Sequence, residues 1–203
     1  MFRLTVRHLL HLILIWRSTR FFLGFFLFFL LYINDLPEVC EKGDILLYAD
    51  DTTLVIKSSD KTNEDIVHES LNLENWFDQN HLTINDKKCM KLSFGTKKRN
   101  IKLLSKFEKV KGYDQCKYLG IIFDKNLNFS AHCKKITKQL SKFCGVVYKA
   151  RKYFSKNQLI VFCNAYVKSV IEYGIIVYGS AAKHHLNSKL ILQKLIMRAI
   201  FSK

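Results

Sequence analysis

Apolar positions change period several times along this chain, and each change marks an element. Phe21 to Ile33 is a run of thirteen uncharged residues, preceded by a shorter apolar patch from Leu9 to Trp16, with Arg17 and Arg20 between them. Thirteen is short of the ~20 residues that cross a bilayer, so the run reads as a buried core helix. A membrane-associated segment is the alternative. No small-residue cleavage site follows to support a signal peptide. Asn34-Asp35-Leu36-Pro37 holds the chain's single proline and reads as a helix exit and turn.

Two short β-type runs come next, Ile45-Leu46-Leu47 and Leu54-Val55-Ile56, joined through Tyr48-Ala49-Asp50-Asp51. They predict a hairpin with an acidic tip. Ser58 to Glu64 is a polar loop. Ile66, Ser70, Leu73 and Phe77 recur at i, i+4, i+7 and i+11, one face of a helix that Trp76 widens and that ends between Gln79 and His81. Leu82 to Asn85 and Lys91 to Phe94 are short extended pieces, and Lys97-Lys98-Arg99 reads as an exposed basic hairpin or loop. Tyr118 to Phe123 reads as a strand in which Gly120 permits close backbone approach. After Asn128 the period is helical. Ile136, Leu140, Phe143, Val147 and Tyr148 share a face, with Lys134, Lys135, Lys138, Lys142, Lys149 and Lys152 largely off it. A second helix over about Lys156 to Ile176 and a third through Leu186, Leu190, Ile196 and Ile200 complete a small bundle. The expected fold class is α+β: an antiparallel sheet with packed helices, then three helices.

Composition adds a partner class. Of 203 residues 49% are apolar, enough for a core, and 33 Lys and Arg outnumber 17 Asp and Glu to give +16. Such a surplus points to a polyanion, nucleic acid or an acidic membrane surface. The charge is uneven. From Asn126 to Lys203 there are fourteen Lys and Arg residues against one acid, Glu172. Six cysteines, at 40, 89, 116, 133, 144 and 163, have neither CxxC nor zinc-finger spacing. They read as reduced thiols of an intracellular protein, in cytoplasm or nucleus.

The chemistry concentrates at Asp50-Asp51. Two adjacent carboxylates on a hairpin tip suit Mg²⁺, which takes one or two carboxylates together with substrate phosphates. An Asp-Asp pair is also an ordinary turn former, because Asp bonds its own backbone. The tip alone leaves both readings open.

Several segments, in order, resemble one family. The chain resembles the C-terminal palm and thumb part of a reverse transcriptase (RNA-directed DNA polymerase) of the non-LTR retrotransposon type. Leu31-Tyr32-Ile33-Asn34-Asp35-Leu36-Pro37 looks like that family's helix exit, and Tyr48-Ala49-Asp50-Asp51 like its catalytic YxDD box. Leu82 to Lys88 resembles its motif D segment, and Cys116-Lys117-Tyr118-Leu119-Gly120-Ile121 its primer-grip strand. Glu172-Tyr173-Gly174 and Leu192-Gln193-Lys194 resemble parts of its thumb. The likeness runs from about residue 28 to the end and implies a palm over 21–125 and a thumb-like domain over 126–203. It implies Asp50 and Asp51 as Mg²⁺ ligands and catalytic residues. Tyr48 and Ala49 would line the primer terminus and nucleotide pocket, and Lys88, or Lys87, would protonate pyrophosphate. The partners implied are an RNA template, a DNA primer or hybrid duplex, and dNTPs.

The departures are as specific. The family carries a further metal-binding Asp on an earlier palm strand, in a segment like F-x-D, and nothing in residues 1–30 resembles it. Where the family has a Pro-Gln-Gly segment, this chain reads Arg17 to Gly24, with Gly24 the one shared residue. Residues 1–20 read as unrelated sequence joined to a truncated polymerase, inactive alone. Two other functions compete: a basic nucleic-acid-binding remnant without catalysis, and a membrane-associated basic protein using residues 21–33.

Overall fold

The computed structural model describes residues 2–5, 19–57, 62–85, 88–95, 103 and 107–202. The chain divides into two compact units, Met1–Asp114 and Gln115–Lys203. As expected, it mixes helices with short antiparallel sheets.

The first unit is built on a four-stranded sheet of β1 (Phe2–Thr5), β2 (Asp44–Tyr48), β3 (Asp51–Val55) and β4 (Met90–Lys91). Their spatial order is β2-β3-β1-β4, every pair antiparallel. The predicted acidic hairpin is β2–β3. Alternation is visible in β2, where Ile45 and Leu47 are half-buried while Leu46 and Tyr48 are exposed. In β3, Thr52, Thr53 and Leu54 are buried. The residues read as unrelated N-terminal sequence contribute β1, which lies between β3 and β4.

Two helices pack in this unit, α1 (Thr19–Tyr32) and α2 (Thr62–Gln79). α2 buries the predicted face, Ile66, Ser70, Leu73 and Phe77, with Trp76 beside it. It begins at Thr62, inside the stretch read as loop; residues 58–61 lie outside the described residues. α1 buries Phe29 and, just past its end, Ile33, one helical turn apart. Leu27, Phe28 and Leu31 are exposed, so among its described side chains the end of α1 is core along one edge. Among the described residues no helix is long and apolar enough to cross a membrane. The helix exit is pinned from two sides. Trp76 Nε1 donates to Asp35 Oδ2 at 3.2 Å, and the Tyr32 hydroxyl donates to the Asn80 carbonyl at 2.8 Å. Leu36 opens a 3-10 turn, Leu36–Val39, and is fully buried.

The extended pieces after α2 are shorter than expected. Leu82 to Asn85 holds an isolated bridge at Ile84, and the second piece is a strand at Met90–Lys91 alone. Leu82 and Leu92 are buried, which explains the apolar signal without a strand. Lys97-Lys98-Arg99 and Lys87 lie outside the described residues.

The second unit opens with β5 (Gln115–Tyr118) and β6 (Ile121–Asp124), an antiparallel hairpin. The reading of Tyr118 to Phe123 as one strand is therefore corrected. Leu119 (φ 43) and Gly120 (φ 83) turn the chain, the paired positive φ angles of a tight hairpin turn. The close approach at Gly120 is made by a side chain. A Cβ there would lie 3.0 Å from Tyr173 Cε1, and the Tyr173 hydroxyl donates to the Leu119 carbonyl. Asp124 then starts the helical region, its carboxylate accepting from the backbone N–H groups of Asn126, Asn128 and Phe129.

The long helices are α3 (Ser130–Ala150) and α7 (Lys183–Phe201). Between them the predicted single helix is segmented. It comprises α4 (Lys156–Cys163), a π-helical turn (Asn164–Lys168), α5 (Ser169–Glu172), a break at Tyr173-Gly174 and α6 (Ile175–Tyr178). Ser155 and Gln158 close a reciprocal capping box at the start of α4. Ile136, Leu140, Val147, Ile196 and Ile200 form the interior with Leu159 and Val167. Two assigned face residues are exposed: Tyr148, whose ring carries the Arg151 guanidinium 4.1 Å from its centroid, and Leu190. Lys189 is buried in place of Leu190. Its Nζ bonds the His185 carbonyl at 2.9 Å and sits over the Tyr178 ring.

Gly174 and Gly145 should respond to alanine with opposite signs. Gly174 has φ 70, and a Cβ there would collide with the Ile121 side chain. Gly174→Ala is expected to destabilise by about 2–4 kcal/mol through backbone strain and overpacking. Gly145 lies in α3 with nothing within 4 Å, so Gly145→Ala should stabilise by about 0.5–1 kcal/mol. Urea unfolding of the two variants measures both, and equal signs would refute this account of the break.

Candidate active site

The acidic tip is defined by register. Tyr48 pairs with Asp51 across β2–β3, leaving Ala49 and Asp50 as a two-residue connection. Ala49 takes φ 54, a conformation costly for a residue with a Cβ. Asp50 and Asp51 are both half-exposed, and Tyr48 is 61% exposed. The tip therefore presents two carboxylates beside an accessible aromatic ring. Immediately behind it the strand dives into the core at Thr52 and Thr53.

On the other side of Asp51 stands β1, with Thr5 as its register partner, followed by Leu4↔Thr52 and Arg3↔Thr53. β4 pairs next, with Arg3 opposite Met90 and Phe2 opposite Lys91. Followed backwards from Met90, the chain heads toward the end of the sheet where Thr5 and Asp51 stand. Lys88 lies two residues before β4 and is exposed, its N–H bonded to the Asn85 carbonyl at 2.9 Å. The sheet thus brings Tyr48, Ala49, Asp50 and Asp51 together at one hairpin. It carries Lys88 toward the same end on the far side of β1.

Whether this donor set fits Mg²⁺ can be judged from its oxygens. Asp50 and Asp51 are hard, half-exposed ligands, suited to a cation that keeps several waters. Among the described residues no group of three His, Cys, Asp or Glu side chains is gathered anywhere. The first acid of the sequence is Asp35, so neither β1 nor residues 6–18 can add a carboxylate beside Asp51. The tip fits one partly hydrated cation. Among the described residues no further carboxylate joins the pair to make a two-metal clamp.

Glu69 was missed by sequence reading. It is fully buried on α2, and its carboxylate accepts from the N–H groups of Glu41 and Lys42 at 3.3 and 2.9 Å. His68 Nδ1 stands 3.6 Å from it. It holds the turn two residues before β2 and so anchors one arm of the acidic hairpin. The available signal was periodic: Glu69 lies three residues after Ile66 and four before Leu73, on the buried side of the helix. Its charge argued the other way. Burial, with Glu69 adding to it, pushes the neighbouring Cys40 thiol up to about 11.

The sheet and its acidic tip correspond to a polymerase palm, and comparisons with known proteins agree. Residues 27–123 match the family described as Reverse transcriptase (RNA-dependent DNA polymerase). The chain is 31% identical over 185 residues to the RNA-directed DNA polymerase from mobile element jockey of Drosophila melanogaster, covering 83% of this chain and 20% of that protein. Its counterpart from Drosophila funebris is 30% identical over 176 residues, 78% of this chain and 18% of that protein. The chain belongs to the reverse transcriptase family. Within that family its relatives are of the non-LTR retrotransposon type. It spans about a fifth of the length of the curated relatives it matches. No solved structure matches it significantly.

The Glu69–Cys40 contact has a measurable signature. A thiol raised from 9.0 to about 11 is neutral below pH 9, and the stability this confers is lost as pH climbs from 9 toward 11. At pH 8, Cys40 should alkylate about 100-fold more slowly than an ordinary thiol, since only the thiolate reacts. In Glu69→Gln the midpoint of its rate–pH curve should fall. Peptide mapping of iodoacetamide labelling would show this, and an unchanged midpoint would remove Glu69 as a cause.

Proposed function

We propose that the chain is palm and thumb sequence of a non-LTR reverse transcriptase, with the palm over 21–125 and the thumb-like helices over 126–203. It descends from a polymerase that extends a DNA primer on an RNA template with dNTPs. Asp50 and Asp51 are the remaining half of its metal site and would hold one Mg²⁺. That ion would supply charge neutralisation for a triphosphate. Tyr48 and Ala49 would face the primer terminus and nucleotide, and Lys88 would act on pyrophosphate. Asp50 sits in the connection itself, whereas Asp51 is the first residue of β3.

The observation that carries this reading is the register at Asp51. Its two ladder partners are Tyr48 and Thr5, and no acid precedes Asp35. Positioning of reactants and charge is most of what catalyses phosphoryl-type transfer. A tip with one pair of carboxylates leaves the attacking and leaving oxygens without a shared clamp. The 203 residues by themselves are therefore inactive as a polymerase.

What they retain is affinity for a nucleic-acid backbone. Lys134, Lys138, Lys142, Lys149 and Lys152 are exposed along α3 and just beyond it, and the unit's acids, Asp124 and Glu172, are occupied elsewhere. Such a row tracks phosphates without reading sequence.

Purified chain, supplied with Mg²⁺, dNTPs and a primed RNA template, should give no extension. Primer growth that Asp50→Asn abolishes would overturn the assignment of half a site. The same chain should bind a hybrid duplex, and Asp50→Asn should leave that binding unchanged. If five phosphates are neutralised, affinity should fall roughly 500-fold between 50 and 200 mM salt. Salt-independent binding in a filter or anisotropy assay would remove the backbone-binding reading.

A further inference from the structure

α3 and α7 enclose an open cleft of about 410 Å³ in the second unit. Lys134, Thr137 and Lys138 line it from α3, and His184, His185 and Ser188 from α7. The lysines are one turn apart, as are His184 and Ser188, so each helix turns a short stripe toward the cleft. The two imidazoles lie with ring centroids 3.9 Å apart. The hydroxyls are spent as donors. Thr137 Oγ1 bonds the Cys133 carbonyl at 2.9 Å and Ser188 Oγ the His184 carbonyl at 3.4 Å. The donors left for a ligand are the two ammonium groups and the two rings.

No carboxylate lines the cleft. Asp124 caps the turn before α3, and Glu172 stands 3.7 Å from Lys168. Four groups that are or can become cationic are thus held together without a counter-ion among the described residues. Like charges so placed raise one another's cost, and an oxyanion relieves it. His185 shows the strain: partial desolvation, His184, Lys189 and Lys134 together hold its pKa below the ordinary imidazole value. The cleft falls within the size range of small-ligand sites.

We propose that this cleft is a phosphate-binding site, in which Lys134 and Lys138 from one helix and His184 and His185 from the other grip a single phosphate group. The phosphate is either that of a free anion such as pyrophosphate or one unit of a nucleic-acid backbone. Only the second source rests on the nucleic-acid reading above. A bound phosphate favours proton uptake by the His185 ring, so its hold on the anion strengthens as pH falls. The charged and titratable groups facing the rings are Lys134 and Lys138 from α3, Lys189 from α7, and the Cys133 thiol.

The test uses the full chain, with the His184 and His185 imidazole resonances as the readout. Pyrophosphate at fixed ionic strength should shift both, with affinity about tenfold higher at pH 6 than at pH 8. In the double variant Lys134→Gln/Lys138→Gln, with an unchanged circular dichroism spectrum, affinity should drop at least tenfold. In His184→Gln/His185→Gln the preference for pH 6 over pH 8 should be lost. Equal shifts from chloride, or undiminished pyrophosphate binding by the lysine variant, would overturn the site. A single-stranded oligonucleotide that displaces pyrophosphate identifies the backbone as the source. Failure to displace it identifies the free anion. Salt-sensitive duplex binding with no pyrophosphate response would overturn the cleft and leave the backbone-binding proposal intact.

Discussion

Strand β3 exchanges backbone hydrogen bonds with a strand on each side, and the first unit depends on that double ladder. Its register with β2 fixes which residues make the turn. Its register with β1 fixes what stands beside Asp51. Side chains in a strand alternate faces, so a slip of one residue in either ladder would send each β3 side chain to the opposite face of the sheet. Burial of Thr52, Thr53 and Leu54 behind the tip makes such a slip expensive. The acidic pair is thereby held at the sheet's end by packing it takes no part in, and Glu69 steadies the approach to β2 from the helix below.

The two units divide charge as well as structure. Acidic side chains of the first unit are put to structural use. Glu69 holds backbone, Asp35 accepts from Trp76, and Asp65 pairs with Lys42 at 3.0 Å. The second unit has few acids and spends Asp124 on a turn. Its lysines are mostly left in solvent. Two turn inward: Lys135 donates to the Gly120 carbonyl at 3.3 Å, and Lys189 folds back over Tyr178, where its stem covers apolar surface and its ammonium finds a carbonyl. A basic surface of this kind follows from leaving cations uncompensated as much as from adding them.

Much of this was legible in the sequence where one physical signal dominated. The acidic hairpin announced itself because β-branched residues flank a polar pair. The face of α2 followed from four residues at helical spacing. Legibility failed where two signals competed. Leu119-Gly120 has apolar neighbours on both sides, so the turn looked like the middle of a strand. The break at Tyr173-Gly174 is hidden by apolar residues that continue through it. Tyr148 and Leu190 fit the helical period by position but lie at the margins of their faces, where a long side chain can turn outward. Glu69 was misjudged because its charge outweighed its position. β1 is four residues long with no turn signal to frame it, and only tertiary pairing gives it meaning. At the site, the carboxylates were readable and their neighbour was not, since Thr5 meets Asp51 only through the ladder.

The position of β1 also sets the order in which the first unit can assemble. β2 and β3 are neighbours in sequence and can close as soon as both exist, on the microsecond scale of hairpins. β1 precedes both of its partners, one near residue 53 and the other near residue 90. Closing those long loops costs entropy before any contact returns it, and distant pairings are what slow β-rich domains. Phe2–Thr5 therefore find their longer ladder only once β3 exists, and their shorter one only once β4 does.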